Sequence, residues 1–499
     1  MIKKSFLVFD FGASNGRAIV GNYNGNKIEM DVTHRFDNIP VFAAGTLYWD
    51  ILRLYTELKN GIQLSLSKYK DILSLGVDAW GADFGVLDKN GKLIANPVHY
   101  RDEQRAKDAE SLLKIIPEEQ LFNMTGSSIA PIFDLFQLYS LKIHDAPEIK
   151  NAKTFLSISD IFNYFLTGNT FNEITRFTTS ILYDQKEGRL ADAIFYKLSL
   201  PKNIFPPILG PGEKIGEITE NICKELDVRP VEVIAPATHD TASAVAGIPV
   251  TDKNSNWAFL SMGTWCCLGK ETEKPLISST IFKKRWSNEA GVEGKNLFVK
   301  NYNGLWVIQQ CREKWIKEKG EDISWKDIDR LYPAAKPFKA FIDMDDPAFG
   351  QHQLDMPKIV MDYCRKTGQE APLSIGEISR CIYESIVLKF RYYMLMLEKL
   401  TGKKIELLHI VGGGTKNKLT CKWMADATGK PLKAGPTETT SMGNLIMQLK
   451  AAGEINSLDE GRQISQNSSE VDYFTPEDSQ SWDAAYERYL KILTLSKDT

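Results

Sequence analysis

Short apolar runs along the chain predict buried strands, and segments with a helical period lie between them. The predicted strands are Phe6–Asp10, Leu73–Val77, Val233–Ala235, Trp257–Leu260, Leu297–Asn301 and Leu407–Val411. The clearest predicted helix covers residues 375–400, because Ser374 and Glu377 form a capping box before it and Gly402 follows it. Further helical patterns cover residues 47–69, 159–166 and 304–315. The chain is therefore expected to mix strands and helices along its length.

The stretch after the strand Val233–Ala235 combines polar and small residues. His239, Asp240 and Thr241 stand near the end of the strand, and the small-residue run 242–247 follows them. A carboxylate between a strand and a helix can take a proton from a substrate hydroxyl, and the helix N-terminus favours its ionised form. Aspartate is also one of the best helix caps. Asp240 is therefore a candidate general base or a helix cap, and the small run predicts close helix packing.

Two predicted hairpins share one layout of strand, small turn and second strand. In the first, Ser14 and Asn15 add donors to a turn that exposes backbone N–H groups, so it can hold a phosphate. Asp10, at the end of its first strand, is placed to bind Mg²⁺. The turn at residues 261–265 repeats the layout, with Thr264 as the counterpart of Ser14. The alternative for the first turn is a plain hairpin whose glycines serve the backbone angles.

Residues after the strand Leu73–Val77 suit a sugar. Trp80 offers an indole face for C–H groups, Asp83 a carboxylate for hydroxyls, and Gly81 allows close approach. The alternative is a core tryptophan beside a capping aspartate. Further along, Glu173 and Arg176 stand in a loop, where they would either close over a ligand or lie at the surface as charges.

Glycines also follow the strand Leu407–Val411. The triplet Gly412, Gly413 and Gly414 lets a flat ring or a phosphate lie directly on backbone, although loops use glycine freely. The usual phosphate-loop motif is absent, as are the dinucleotide fingerprint, the hydrolase nucleophile elbow and the zinc-protease motif. The sequence therefore excludes these common routes to phosphate binding and hydrolysis.

Composition bounds the class of protein. A length of 499 residues predicts two domains, and a shift to polar residues at 247–256 marks a boundary between 1–248 and 249–499. The net charge of -3 implies no nucleic-acid partner. Seven cysteines without a C-x-x-C pair fit a reducing cytoplasm. The apolar run after Lys3 and Lys4 is too short for a signal peptide, and no run is long enough for a membrane span.

These motifs, taken in order, resemble the FGGY carbohydrate kinases, and most closely the rhamnulokinase branch. The resemblance covers essentially the whole chain and rests on Asp10–Arg17, Asp78–Asp83, His239–Ala244, Gly263–Trp265 and Val411–Gly414, with support from Lys300-Asn301, Gly304–Trp306, Gln309 and Thr367–Gln369. The resemblance implies an α/β fold with two actin/hexokinase-like (ribonuclease H-like) ATPase domains around a central cleft. It also implies that the protein uses ATP and Mg²⁺ and acts as a monomer or homodimer.

The resemblance also implies roles for individual residues. Asp240 resembles the proton acceptor. Substrate contacts are implied for Gly81, His239, Thr241 and Asn301, beside Trp80 and Asp83 from the reasoning above. The implied ATP contacts are Ala13, Ser14, Asn15, Gly16, Arg17, Thr264, Gln309, Gly413 and Gly414, and Asp10 is the expected metal ligand.

The sugar is less defined than the chemistry. Many rhamnulokinases differ from this chain at Ala79, Met262 and Cys266-Cys267, which flank the expected sugar and phosphate sites. The expected reaction phosphorylates the C1 hydroxyl of a 6-deoxy-ketohexose, either L-rhamnulose or L-fuculose. The alternatives are a kinase for xylulose, ribulose or glycerol, an actin-like ATPase, and a sugar sensor without phosphoryl transfer.

Overall fold

The computed structural model describes residues 3–252, 255–350 and 353–498. Its strands are β1 Lys4–Phe11, β2 Asn15–Tyr23, β3 Ile28–Asp37, β4 Val41–Ala43, β5 Thr46–Tyr48, β6 Ile72–Ala79, β7 Phe84–Leu87, β8 Thr154–Ser157, β9 Asn172–Glu173, β10 Tyr183–Asp184, β11 Arg189–Leu190, β12 Ile208–Leu209, β13 Glu213–Glu217, β14 Glu232–Ala235, β15 Trp257–Met262, β16 Trp265–Thr272, β17 Ser287–Ala290, β18 Asn296–Asn303, β19 Leu407–Val411, β20 Leu432–Ala434 and β21 Asp472–Phe474.

The helices of the described residues are α1 Ile51–Lys68, α2 Glu103–Ile115, α3 Glu118–Thr125, α4 Asp134–Ile143, α5 Pro147–Asn151, α6 Ile158–Thr167, α7 Ile174–Phe177, α8 Asp192–Leu198, α9 Glu220–Leu226, α10 Asp240–Ala246, α11 Ser279–Lys283, α12 Trp306–Lys319, α13 Trp325–Ala334, α14 Pro347–Gly350, α15 Met356–Lys366, α16 Ile375–Thr401, α17 Lys418–Thr428, α18 Thr439–Ala451, α19 Leu458–Ser468 and α20 Ser479–Asp498. Short 3₁₀ turns occur at Thr178–Ser180, Lys202–Ile204, Val292–Gly294 and Gly413–Lys416.

The chain folds into two compact units that interleave along the sequence. The first comprises Met1–Thr251, Glu271–Phe298 and Glu438–Ser469, and the second comprises Asp252–Lys270, Val299–Thr437 and Glu470–Thr499. The first unit therefore takes two segments from the second half of the chain. The expected division into domains 1–248 and 249–499 stays a prediction.

The first unit is built on a six-stranded sheet with the order β13-β14-β6-β1-β2-β3. Strands β1, β6 and β14 run parallel, whereas β2, β3 and β13 pair antiparallel with their neighbours. The predicted hairpin at the start of the chain is thereby confirmed. Because carboxyl ends of parallel strands meet at one edge, the residues after β1, β6 and β14 lie close together.

Helix α1 covers one face of this sheet through an apolar stripe that the sequence predicted. Ile51, Leu54, Leu58 and Ile62 are fully buried in the same core as the apolar residues of β1 and β6. Asp50 caps the helix by accepting from the Arg53 backbone N–H, at 3.2 Å. Helix formation here thus follows from periodicity and capping together.

Helices α10 and α18 cross with almost no side chain between them. A Cβ atom placed on Gly443 would lie 1.8 Å from the Ser243 carbonyl oxygen, and one on Gly247 would lie 2.2 Å from that of Thr439. Only residues without side chains fit at such a crossing. The predicted close packing of the small-residue run is confirmed.

The second unit contains the strand order β18-β16-β15-β19-β20-β21. Strands β15 and β16 form the second predicted hairpin, and β19 pairs parallel with both β15 and β20. The long helix α16 begins with the predicted capping box, in which the Ser374 hydroxyl accepts from Glu377 N at 3.2 Å. It ends at Gly402, whose φ of 69° is left-handed.

No helix in the described part of the chain is both long and apolar enough to cross a bilayer. All seven cysteines are buried. The cytoplasmic location and the monomer or homodimer state stay predictions from the sequence.

Candidate active site

Three aspartates lie at the carboxyl edge of the first sheet. Asp10 and Asp78 are register partners on β1 and β6. A parallel bridge joins Ala79 to His239, and Asp240 follows as the first residue of α10. His239, not Asp240, holds the N-cap position, and its side chain makes no capping hydrogen bond. The structure thus rejects the interpretation of Asp240 as a simple helix cap.

Burial raises the pKa of Asp240 to about 7, with a further contribution from the negative charge of Asp10. The Thr241 hydroxyl donates to its Oδ1 at 3.2 Å and acts in the opposite direction. The side chain keeps 35% of its surface exposed, which leaves a face for a substrate hydroxyl. A carboxyl group with a pKa near neutrality is well matched to general-base work.

Asp10 is held by Arg17, the residue predicted to contact ATP. The Arg17 guanidinium lies 3.1 Å from Asp10 Oδ2 and 2.5 Å from Glu438 Oε2. Burial still raises the pKa of Asp10, although Arg17 lowers it. Asp78 is fully buried, and burial together with Asp10 raises its pKa well above the usual value.

The Asp10 and Asp78 carboxyl groups fit a magnesium ion that arrives with a nucleotide. Asp78 Oδ1 is buried and has no hydrogen-bond partner among the described residues, and its Oδ2 accepts from Asn444 at 2.6 Å. A cation would relieve the mutual repulsion of these two groups. No group of three or more candidate ligands able to hold a metal exists among the described residues. Mg²⁺ commonly takes one or two carboxylates and completes its shell with phosphates and water, and Asp10 and Asp78 supply two carboxyl groups on neighbouring strands.

The turn between β1 and β2 presents its polar residues to solvent. Ser14 and Asn15 are exposed, whereas Gly16 is buried, and a Cβ on it would lie 2.3 Å from the Phe36 ring. Asn38 stabilises the turn, because its side chain donates to Gly12 O at 2.9 Å. The arrangement leaves Ala13, Ser14 and Asn15 available to a phosphate, as the sequence predicted for this loop.

In the second unit, the structure brings two predicted ATP residues together. The Thr264 hydroxyl donates to Gln309 Oε1 at 3.3 Å. The turn that carries Thr264 is tied to the start of α12, since Leu305 N donates to Gly263 O at 2.9 Å. Asn301, the predicted sugar contact, is exposed on β18. The contact between Thr264 and Gln309 was not predicted, because the two residues lie far apart in the sequence.

The glycine triplet divides into residues with different environments. A Cβ on Gly413 would meet nothing within 4 Å, so this backbone is open to a ligand. Gly414 is buried, and a Cβ there would lie 2.5 Å from the Met262 side chain. The lack of a side chain at Gly414 therefore allows close packing against Met262, and the ATP contacts at Gly413 and Gly414 stay predictions.

Trp80 and Asp83 occupy the interior rather than a sugar-facing surface. Trp80 is buried with its ring 4.1 Å from that of Trp49. Asp83 is fully buried and accepts from Arg105 at 2.9 Å, from Trp49 Nε1 at 2.6 Å and from Tyr100 N at 3.0 Å. Both carboxylate oxygens are thus used by the protein. The alternative of a core tryptophan beside a structural aspartate fits these contacts, and the predicted sugar contact at Asp83 is corrected.

Glu173 and Arg176 are fully buried, so neither alternative from the sequence is right. Arg176 donates to both oxygens of Asp134 at 3.0 Å, and neither side chain is exposed. Glu173 Oε2 accepts from the Thr238 backbone N–H and hydroxyl, both at 2.9 Å. Glu173 thereby holds the segment that leads into His239. Sequence reasoning missed Asp134 and Arg105, because their partners lie far away in the chain.

His239 is a neutral imidazole pressed against Gly81. Burial and the nearby Arg176 charge lower its pKa to about 3. Its Nε2 lies 3.4 Å from Asp240 Oδ1, and a Cβ on Gly81 would lie 2.4 Å from the same nitrogen. Gly81 therefore makes room for the histidine ring beside Asp240.

Comparison with known proteins identifies the family of the chain. Residues 5–247 match the N-terminal domain of the FGGY family of carbohydrate kinases, and residues 258–452 match its C-terminal domain. The chain belongs to the FGGY family of carbohydrate kinases. It is therefore a phosphotransferase that acts on a sugar with ATP, and the family predicted from the sequence motifs is confirmed.

Relatives within the FGGY family match over nearly their full length. The chain is 35% identical to a rhamnulokinase of Bacteroides thetaiotaomicron over 485 residues, which covers 97% of this chain and 98% of the relative. It is 32% identical to a rhamnulokinase of Bacillus subtilis, over 95% of this chain and 96% of the relative.

Solved FGGY structures share the fold. The xylulose kinase of Lactobacillus acidophilus superimposes with a TM-score of 0.82 at 15% identity, over 98% of both chains. The Plasmodium falciparum glycerol kinase with ADP gives a TM-score of 0.80 at 16% identity, over 99% of this chain and 98% of that one. The predicted α/β class and the actin/hexokinase-like fold are confirmed.

Proposed function

We propose that this FGGY kinase transfers the γ-phosphoryl group of ATP to the C1 hydroxyl of a 6-deoxy-ketohexose. L-Rhamnulose is the first candidate and L-fuculose the second. The observation that supports the proposal is Asp240, a partly exposed carboxyl group with a pKa of about 7 beside His239 and Gly81. The two rhamnulokinases at 35% and 32% identity support the choice of sugar.

In the proposed reaction, Asp240 orients the C1 hydroxyl and accepts its proton as the bond to phosphorus forms. Phosphoryl transfer depends mainly on positioning and on neutralising charge. Asp10 and Asp78 would hold Mg²⁺, which supplies charge neutralisation at the phosphates. Arg17, which lies beside Asp10, lowers the pKa of that carboxyl group against the effect of burial and adds positive charge near the turn between β1 and β2.

The nucleotide contacts remain those of the exposed polar turns. In the first unit, Ser14 and Asn15 are the proposed phosphate donors. In the second unit, Thr264, Gln309 and the open backbone of Gly413 are the proposed nucleotide contacts. Thr241 is a proposed sugar contact beside Asp240 in the first unit, and Asn301 is a proposed sugar contact of the second unit. Trp80 and Asp83 both contact Trp49 in the interior of the first unit.

The test is ADP release by purified protein with ATP and magnesium, in the presence of L-rhamnulose, L-fuculose, L-xylulose, D-xylulose or glycerol. The proposal expects ADP release that depends on a 6-deoxy-ketose and gives the 1-phosphate. Release without any sugar would instead indicate an actin-like ATPase. Sugar binding without release would indicate a sensor, and a clear preference for xylulose or glycerol would reject the proposed substrate.

A further inference from the structure

Glu289 is a buried carboxyl group beside the proposed base that no sequence motif indicated. It lies on β17, within the part of the first unit that comes from the second half of the chain. Its Oε2 is 3.5 Å from His239 Nδ1, while His239 Nε2 is 3.4 Å from Asp240 Oδ1. The imidazole thus stands between two carboxyl groups, one facing each ring nitrogen.

The strand that carries Glu289 is held firmly on both sides of it. Asn288 donates through its side chain to Gly126 O at 2.8 Å, and its own N–H donates to the same carbonyl at 3.0 Å. Ala290 N donates to the Thr178 hydroxyl at 2.9 Å. These hydrogen bonds fix the backbone on both sides of Glu289, and the Glu289 side chain takes no part in them.

Both atoms at this contact are buried and otherwise unsatisfied. His239 is 6% exposed and Glu289 is 5% exposed, and in the described part of the chain neither His239 Nδ1 nor Glu289 Oε2 has a hydrogen-bond partner. Buried polar atoms nearly always find a partner, and these two lie 3.5 Å from each other. A small closure of this gap satisfies both.

The ring orientation leaves little freedom to the histidine. Its backbone N–H donates to the Thr175 hydroxyl at 3.3 Å, and the absence of a side chain on Gly81 accommodates Nε2. The charged and titratable groups around the ring are Asp240, Glu289 and Arg176. Burial and Arg176 lower the pKa of His239 to about 3, so the ring carries one proton, on one nitrogen.

We propose that Glu289 is a positioning residue that holds the proton of neutral His239 on Nδ1, so that Nε2 presents a lone pair beside Asp240. A histidine tautomer is set by the hydrogen bond that the other nitrogen makes. With Nδ1–H donating to Glu289, Nε2 can accept a hydrogen bond from a sugar hydroxyl. The opposite tautomer would donate Nε2–H to Asp240 and weaken it as a base.

The effect of Glu289 on catalysis rests on the proposed function, whereas the measurement of the His239 tautomer does not. Glu289→Gln preserves the shape of the side chain, and its amide can donate to Nδ1, which favours the Nε2–H tautomer. Glu293→Gln is the matched control, because Glu293 lies on the same segment but contacts Lys450 and Leu458 N.

The decisive measurement is ¹⁵N NMR of protein labelled in its six histidines, at a pH above the Glu289 pKa of about 7. The ¹⁵N shifts distinguish protonated from unprotonated ring nitrogens, and His239→Gln assigns the signal by its loss. We expect protonation at Nδ1 in the wild type and in the control, and at Nε2 in Glu289→Gln. A wild-type ring protonated at Nε2 would overturn the inference.

Kinetics give a second readout that a purely structural role would not produce. Glu289→Gln should lower kcat/KM for the ketose by about 10- to 100-fold, through loss of one hydrogen bond and a weaker base, with KM for ATP unchanged. Unchanged ketose kinetics alongside a changed tautomer would reject the functional part. If the wild type phosphorylates no ketose, the proposed function fails while the tautomer measurement still tests Glu289.

Discussion

Asp10 and Asp78 are register partners on adjacent parallel strands, and burial raises the pKa of both carboxyl groups. Arg17 partly compensates Asp10, and Asn444 donates to Asp78 at 2.6 Å. Asp240 shares the same edge, and the charge of Asp10 contributes to its raised pKa. The site therefore concentrates negative charge that is relieved only when cations or protons enter.

Asp240→Asn should remove catalysis while leaving ligand binding intact. The amide is nearly isosteric but cannot accept the hydroxyl proton, so kcat should fall by about 10²- to 10⁴-fold. Turnover is measured by ADP release, and ketose and ATP binding by calorimetry. Asp88→Asn, on an exposed turn, is the control and should keep wild-type turnover. Near-normal turnover of Asp240→Asn would disprove the assignment of the base.

Activity should rise with pH around the Asp240 pKa of about 7. The base must be ionised to accept a proton, so kcat/KM for the ketose should increase through this region and level off above it. A pH series in non-interacting buffers with saturating ATP measures the profile. A profile that stays flat on both sides of neutrality would show that Asp240 is not the titrating base.

Gly81→Ala should impair the acceptor side of the site. The new methyl group would lie 2.4 Å from His239 Nε2, so the ring must shift from its position beside Asp240. A displacement of about 1 Å near the chemistry can cost about 100-fold in kcat/KM. Steady-state kinetics for the ketose measure the effect, with KM for ATP unchanged. Gly210→Ala is the control, because the nearest atom to its added Cβ is 3.5 Å away, and equal losses in both variants would contradict the prediction.

Arg176→Gln should destabilise the first unit. Asp134 would remain fully buried without its ion-pair partner, which typically costs about 3–5 kcal/mol. Urea unfolding measures the change. The double variant Arg176→Gln/Asp134→Asn removes the uncompensated charge and should recover part of the loss. A loss below about 1 kcal/mol in the single variant would show that the pair is not held as described.

Buried carboxyl groups should also make stability depend on pH. Asp160 has a folded pKa raised by burial from 3.8 to about 8, so the native state binds more protons than the unfolded state between those values. The free energy of unfolding attributable to it should therefore fall as pH rises through this window. Denaturant unfolding across the window should show a flatter dependence in Asp160→Asn. An unchanged slope would place the pKa of Asp160 outside it.

Local sequence signals predicted the elements well because they depend on neighbours in the chain. The strand Leu407–Val411 and the capped helix after Ser374 were found from apolar periodicity and end signals alone. The same signals could not show that the Asp83 carboxylate accepts hydrogen bonds from Arg105 and Trp49, or that Arg176 is buried against Asp134. These contacts join residues that are separated along the chain, and a single sequence does not indicate which separated residues will meet.

The sequence predicted part of the candidate site and missed another part of it. Asp240, His239 and Gly81 lie together as the motifs indicated, because all three are fixed by short strand-end segments. Glu289 escaped notice, since its segment follows an intervening stretch of the second unit and resembles an ordinary polar strand. Trp80 had two interpretations that differ only in burial, and composition does not report burial.

The segment Glu438–Ser469 returns to the first unit after the second unit has been completed. It carries the Gly443 surface on which α10 rests and the Asn444 amide that satisfies Asp78. During synthesis, the helix that begins with Asp240 therefore leaves the ribosome long before its packing partner exists. Nascent chains stopped ahead of Glu438 should expose that helix to proteases, and catalytic competence should appear only when translation is almost finished.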